Sequence, residues 1–424
     1  MLKNIKNIKP LENLFYLSLS QGVNLLIPIL IVPYLIKTVG IEKFGIITLI
    51  QTICSFFFIL TDYGFNITAV KLLSVNRHDK QKVTEIINEV LGTKLLLTFV
   101  SLPIFMGVCW FFLKDSASLI LILMSFMLVL GQAFFPIWLF QGLEKNQYIT
   151  YTNLVSKIIF VILLLVLVRR EQDFILCNFL LGTINFISGI MVTFLFLKKE
   201  LRQNFYYVPF TLIKKQLDEG KEIFVSNLSI NTYINSNILI LTFFVSPHLI
   251  GIYSIVEKVI FLIRALLGVF IQAIYSSACH IAHHQGFKAF NQFIYKYFIA
   301  LLIALTCLTG IVYFYAEYIV GFLSKNDVEK LSYYIKILII VPLIVALNIP
   351  AYITLLAYNF KQYNARILTA GAFLSILLSL FLVPKLLING TIWSIIITEL
   401  FITISLNVAV FTLKLNRKID EGYI

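Results

Sequence analysis

FGIITLIQTICSFFFILTDYGFNIT, residues 44–68, runs for 25 residues with a single charged side chain, Asp62. A helix rises about 1.5 Å per residue, so about 20 predominantly apolar residues cross a bilayer core of roughly 30 Å. This stretch meets that requirement, and eleven more runs resemble it, at 14–36, 86–113, 116–140, 148–168, 174–197, 223–245, 250–279, 297–318, 332–357, 367–387 and 391–413. The chain of 424 residues is 59% hydrophobic and 13% charged, where soluble domains carry about 25% charged residues. The expected class is an all-α integral membrane protein with about twelve transmembrane helices and no soluble domain.

The net charge of +13 acquires meaning from where the cations lie. With the N-terminus placed in the cytoplasm, inner segments hold 21 of the 34 Lys and Arg, outer segments hold 8, and 5 fall within apolar runs. Cytoplasmic loops of membrane proteins carry such an excess. The distribution therefore points to an even number of spans in a bacterial inner membrane, with both termini cytoplasmic and no call for nucleic acid as a partner. The first apolar run, behind Lys3, Lys6 and Lys9, exceeds the roughly 7 to 15 residues of a signal-peptide core and is read as the first helix. The longest inner loop, 198–222, separates an N-terminal six-helix bundle (1–197) from a C-terminal one (223–424).

Carriers are often built from internal repeats. At an offset of 206 residues Ser20-Gln21 falls on Ser226-Asn227, Gly45-Ile46 on Gly251-Ile252, Gln51 on Glu257 and Asn66 on Gln272. Polar residues inside the runs also form stripes. Gln51, Ser55, Asp62 and Asn66 follow at 4, 7 and 4 residues, and Glu257, Arg264, Gln272 and Tyr275 at 7, 8 and 3, spacings that share one helical face. Asn227, Asn231 and Asn235 repeat every four, and the first run offers Gln21, Asn24 and Pro28. A polar group at membrane depth must be buried in protein or face water. Two readings follow: helices 1, 2, 7 and 8 line a hydrated cavity, or these side chains bond helix to helix.

Arg264 and Lys157 lie deep inside their runs. A cation at mid-bilayer costs at least about 2.5–3.5 kcal/mol on insertion scales, which calls for a partner. An anionic substrate supplies one; Glu257, on the same helix as Arg264, is the structural alternative. Lys94, Lys258 and Lys336 stand nearer run ends, where a long side chain reaches the headgroups. Asp62, Glu257 and Glu399 are candidates for coupling to protons or sodium. The five cysteines (54, 109, 177, 279 and 307) are scattered singly, which suits small core residues rather than disulfides or metal. His280, His283 and His284 have metal-compatible spacing but are read as a solvated helix end. No metal or cofactor is expected, and no G-x-x-x-x-G-K-[ST] loop for ATP occurs.

Four words of sequence carry a family resemblance: DYGFN (62–66) with Lys71 and Arg77 behind it, FPIWLFQGLEK (135–145), FVSNLSINTYINSN (224–237) and IGIYSIVEKV (250–259). Together they resemble the Wzx-type O-antigen flippases, the polysaccharide-transporter branch of the superfamily that also contains the multidrug and toxic-compound extrusion carriers. The match covers most of the chain. It departs from relatives at Ser276, where a proline often follows the tyrosine. The resemblance implies two six-helix bundles around a central cavity and a substrate of oligosaccharide repeat units linked by diphosphate to undecaprenol. H+ or Na+ is the expected driving ion, carried by the carboxylates inside the runs, and a polysaccharide polymerase and chain-length regulator are expected pathway partners. On that reading Arg264 and Lys157 attract the diphosphate, while Gln21, Asn24, Gln51, Asn227, Asn231, Asn235, Gln272 and Tyr275 bond sugar hydroxyls. The alternatives are a membrane polysaccharide polymerase or ligase, which needs catalytic groups on an ordered outer segment, and a multidrug antiporter of the same superfamily, which the central cations disfavour.

Overall fold

The computed structural model describes residues 8–114, 118–201, 208–358 and 360–415. Lys3, Lys6, Ser116, Arg202, Arg417 and Lys418, used above to judge sidedness or run ends, lie outside them. The described residues form helices and no strand: α1 (Ile8–Asp62), α2 (Phe65–Asn76), α3 (Lys80–Leu113), α4 (Leu119–Phe134), α5 (Ile137–Gly142), α6 (Asn146–Leu167), α7 (Phe174–Phe196), α8 (Phe210–Leu241), α9 (Pro247–Phe314), α10 (Ala316–Leu323), α11 (Val328–Leu338), α12 (Ile340–Ala357), α13 (Lys361–Leu386) and α14 (Ile388–Leu415). Nine helical stretches among them are long and apolar enough to cross a membrane, with mean hydropathy of 2.0 to 2.3. The chain is a multi-pass, all-α membrane protein.

Two long helices each contain two of the expected runs. α1 is interrupted at Gly40 (φ 80°) and α9 at Gly286 (φ 75°), backbone that glycine adopts without a Cβ penalty. Nothing lies within 4 Å of a Cβ built at either position, so the glycines serve the dihedral and not a close contact. Helix starts follow local chemistry. Asp79 caps α3 by accepting from the Lys82 amide at 3.0 Å, Ser118 caps α4, and Pro247 opens α9, each a standard starting signal.

The 206-residue offset aligns helix breaks as well as letters. Gly40 corresponds to Ser246, just before α9, and Gly286 to Lys80, where α3 begins. Pro136, at the break between α4 and α5, corresponds to Pro342, three residues after the break at Ile339.

The chain divides into two compact units, 1–231 and 232–424, and the division falls within α8. In the first unit α4 and α7 touch backbone to backbone. A methyl group on Gly182 would overlap the Met127 backbone, and one on Gly131 or Gly189 would meet the Gly182 or Phe134 carbonyl; small residues allow this approach where lipid provides no hydrophobic drive. The DYGFN word forms a turn, with Tyr63 and Gly64 both at positive φ. That turn seats on the start of α8: the Tyr63 ring stacks on Phe224 at 4.6 Å, and a Cβ at Gly64 would collide with Ile223. FPIWLFQGLEK joins the same core, burying Trp138, Leu139 and Phe140 with Phe65, Ala69 and Leu73, while Glu144 pairs with Arg77 at 2.7 Å. Two of the family words thus meet in one core of the first unit. In the second unit α13 and α14 form a tight hairpin in which Gly390 lies against Leu382.

Candidate functional site

The second unit gathers the charged residues. α9 presents Tyr253, Glu257 and Arg264 at intervals of four and seven, one face of a helix. With Asn237 of α8, Ser375 of α13 and Thr398 and Glu399 of α14 they line a cavity of about 230 Å³. Arg264 Nη2 donates to Glu399 Oε1 at 2.7 Å. The Glu399 side chain is 4% exposed and that of Arg264 34%, so a buried carboxylate holds a guanidinium at the cavity wall. The partner of Arg264 is therefore Glu399, 135 residues away, rather than Glu257 on its own helix. Glu257 lines the same cavity and makes no ion pair or hydrogen bond among the described residues. Two carboxylates face one guanidinium, a formal balance of one negative charge on this wall.

Beside the ion pair lies a hydroxyl–amide network. The Asn237 Oδ1 accepts from Ser379 and, at 3.4 Å, from Ser375. Ser379 lies 2.8 Å from the Ser394 hydroxyl, and Ser394 donates to the Ser375 carbonyl at 3.1 Å. Sequence reading missed Asn237 because it stands two residues past the four-residue stripe. The available signal was Ser375 and Ser379, one turn apart in an otherwise apolar run.

In the first unit the polar residues bond to neighbouring helices. Gln51 donates to Asn178 at 3.0 Å, and Asn178 reaches Ser125 at 3.5 Å. Asn153 of α6 donates to Ser20 at 2.8 Å and to Asn24 at 3.3 Å. Ser55 accepts from Asn231 at 3.2 Å. The face shared by Gln51, Ser55 and Asp62 in sequence is thus distributed over three different partners.

Lys94 requires a correction. Its side chain does not reach for the headgroups: it is 2% exposed and ion-paired with Asp62 at 3.0 Å, with its ammonium 5.8 Å from the Phe65 ring. Position near a run end allows snorkelling only if the end is open, and the DYG turn closes this one. Lys336 pairs with Glu317 at 2.9 Å.

Among the remaining candidates, Gln21 and Asn66 are exposed, and Asn227, Asn231, Asn235, Tyr275 and Lys258 are half-buried. The side chain of Gln272 lies outside the described ones. Lys157 is half-buried on α6, and no carboxylate among the described residues reaches it. The three histidines cluster, with His280 and His283 each 4.6 Å from His284 ring to ring, and none of the described residues adds a carboxylate or thiol to complete a metal site.

Comparison with solved structures agrees on an all-α membrane fold. The inward-facing form of a multidrug-resistance transporter of the MATE family, within the MOP superfamily, superposes with a TM-score of 0.75 at 11% identity, covering 97% of this chain and 98% of that one. Residues 11–275 match the family model described as polysaccharide biosynthesis protein, and the chain belongs to that family. A candidate O-antigen transporter of Escherichia coli K12 is 27% identical over 416 residues, covering 94% of this chain and 96% of the relative. Another, from Shigella dysenteriae, is 24% identical over 398 residues, covering 93% and 98%. The family resemblance drawn from the four words holds, and these relatives are named as transporters, not enzymes.

Proposed function

We propose that this protein is a flippase of the bacterial inner membrane. It carries undecaprenyl-diphosphate-linked oligosaccharide repeat units, precursors of O-antigen or capsule, from the cytoplasmic to the periplasmic leaflet by alternating access, with both termini in the cytoplasm. Family membership and the names of the relatives support the substrate class, and the MOP-type fold supports the mode of action.

The observation that carries the chemistry is the guanidinium of Arg264 held at a cavity wall by buried Glu399. A guanidinium fork matches phosphate as well as carboxylate, so an incoming diphosphate competes with Glu399 for the same donors. Binding then frees a carboxylate, and Glu399 with neighbouring Glu257 becomes the place where H+ or Na+ compensates charge. Lys157 supplies a second cation. Gln21, Asn227, Asn235, Gln272 and Tyr275 exchange hydrogen bonds with sugar hydroxyls, and Asn231 does so on leaving Ser55. Gln51 and Asn24, tied to Asn178 and Asn153, act by holding their helices. The halves 1–197 and 223–424, joined by residues 198–222, which include the first turns of α8, move as repeat-built carriers do, and a polymerase and chain-length regulator take up the product.

The test is transfer of a lipid-linked oligosaccharide across vesicles containing the purified protein, read by accessibility of the glycan to an added glycosidase. Transfer without new sugar linkages is the expected result; new linkages without transfer would establish a polymerase instead. One observation favours a second reading: the two carboxylates beside Arg264 also suit a cationic compound. Resistance to cationic toxins conferred by expression, with no glycan transfer, would establish a drug antiporter.

A further inference from the structure

The largest cavity described in the first unit has nothing to do with Arg264. It is a groove of about 1060 Å³ between α3, α4, α7 and the start of α8. Its walls are exposed hydrocarbon and rings, chiefly Leu95, Phe99, Ile190 and Phe210. Its floor includes three buried polar residues, Asn88, Thr98 and Thr193, and each turns a donor back onto its own helix: Asn88 to the Thr84 carbonyl, Thr98 to Lys94, Thr193 to Gly189. The remaining lining residues are all apolar, which suits an occupant that offers few hydrogen bonds.

Length narrows the occupant. The groove follows α3 from Asn88 to Leu102, about 21 Å at the helical rise, whereas one leaflet is about half of a core of roughly 30 Å. An ordinary acyl chain stays within its leaflet; a polyprenyl chain is longer than one. Charge narrows it further. The end marked by Val208, Phe210 and Ile213 continues in sequence into Lys214 and Lys215, and Lys198 and Lys199 follow Thr193 by less than two turns. All four lysines are exposed. At the same end Gln216 donates to Glu89 at 2.7 Å, fastening α8 to α3.

We infer that this groove is a binding site for the isoprenoid chain of a polyprenyl diphosphate, with the lysine-bearing end meeting the diphosphate as the lipid first docks, before the headgroup passes to Arg264 and Lys157. The inference rests on the flippase reading and adds where the lipid part of the substrate is held while the glycan crosses.

Photo-crosslinking tests it in the full-length protein. p-Benzoylphenylalanine replaces Leu95 in the groove or, as a control on the lipid-facing side of α6, Ile158. Vesicles of phosphatidylethanolamine and phosphatidylglycerol contain undecaprenyl diphosphate as a minor component. The expected result is polyprenyl adduct several-fold higher at Leu95 than at Ile158. Equal labelling at both positions, or phospholipid adducts alone at Leu95, would overturn the inference. The glycan-transfer assay, run in vesicles of the same phospholipids with a lipid-linked oligosaccharide as the minor component, separates the two ideas: transfer without preferential labelling removes the groove and leaves the flippase. Labelling without transfer keeps the groove as a lipid site and removes the flippase. A second variant, Leu95→Trp with Ile190→Trp, fills the groove from exposed positions that tolerate bulk, and is expected to lower the Leu95-region adduct when the label is moved to Phe99.

Discussion

Arg264 and Glu399, 135 residues apart, are joined at 2.7 Å, with the carboxylate buried and the guanidinium a third exposed. Removing one partner of a buried pair leaves an uncompensated charge, at a cost of about 3–5 kcal/mol when both are fully buried. The exposure of Arg264 places this pair below that range. Arg264→Ala is expected to lower the thermal unfolding midpoint in detergent, and adding Glu399→Gln to recover part of the loss. Equal midpoints for Arg264→Ala and the parent would show that the pair does not hold. In glycan transfer Arg264→Lys should exceed Arg264→Ala, since it keeps the charge and loses the planar fork.

Asp62 and Lys94 make a second such test, because Asp62 stands in the family word DYGFN and was also a candidate for ion coupling. Lys94 is the more deeply buried of the two. Asp62→Asn alone therefore strands an ammonium and is expected to destabilise the fold by up to about 3 kcal/mol, since Asp62 is itself partly exposed, while Asp62→Asn with Lys94→Met removes both charges and restores much of it. If the double variant also transfers glycan at the parental rate, Asp62 is a structural anion. Loss of ion-dependent transfer in a stable double variant would return it to the coupling machinery.

These two pairs mark the limit of what the amino-acid sequence shows by itself. Span positions follow from one-dimensional composition, and eleven of the twelve runs begin on described helix; the breaks at Gly40 and Gly286 are not read from the sequence, and their match at the 206-residue offset shows only once the helices are seen. Which charge meets which is set by packing between helices far apart in the chain. Nothing in the spacing of Arg264 favours Glu399 over Glu257, and Lys94 looked free to reach the headgroups because the DYG turn that encloses it is a tertiary feature. The polar stripe of Gln51, Ser55 and Asp62 is a correct statement about one helix. It could not say that Asn178, Asn231 and Lys94 would take those side chains separately.

Gly182 offers a prediction about fold alone. A methyl group there would overlap the Met127 backbone, and the backbone, unlike a side-chain tip, has no rotamer to retreat into. Overpacking of this kind costs about 1–3 kcal/mol and sometimes more. Gly182→Ala is expected to lower the unfolding midpoint clearly, whereas Gly107→Ala, in open space within α3, should leave it unchanged or slightly higher, since alanine is the better helix former. Similar midpoints for the two variants would remove the backbone contact between α4 and α7 as a source of stability.

Lys157 separates structural from functional charge most cleanly. No carboxylate among the described residues pairs with it, so Lys157→Met takes away a cation without stranding an anion and keeps most of the packed stem. Stability is expected to stay level or rise, because a charge at membrane depth costs at least about 2.5 kcal/mol on insertion scales. Glycan transfer is expected to fall at the same time, since the diphosphate loses one of its two proposed cations. A variant that is more stable and transfers at the parental rate would show that Lys157 takes no part in binding. Its charge would then lack a role in the flippase reading, and Arg264 would remain as the one proposed anion contact deep within the spans.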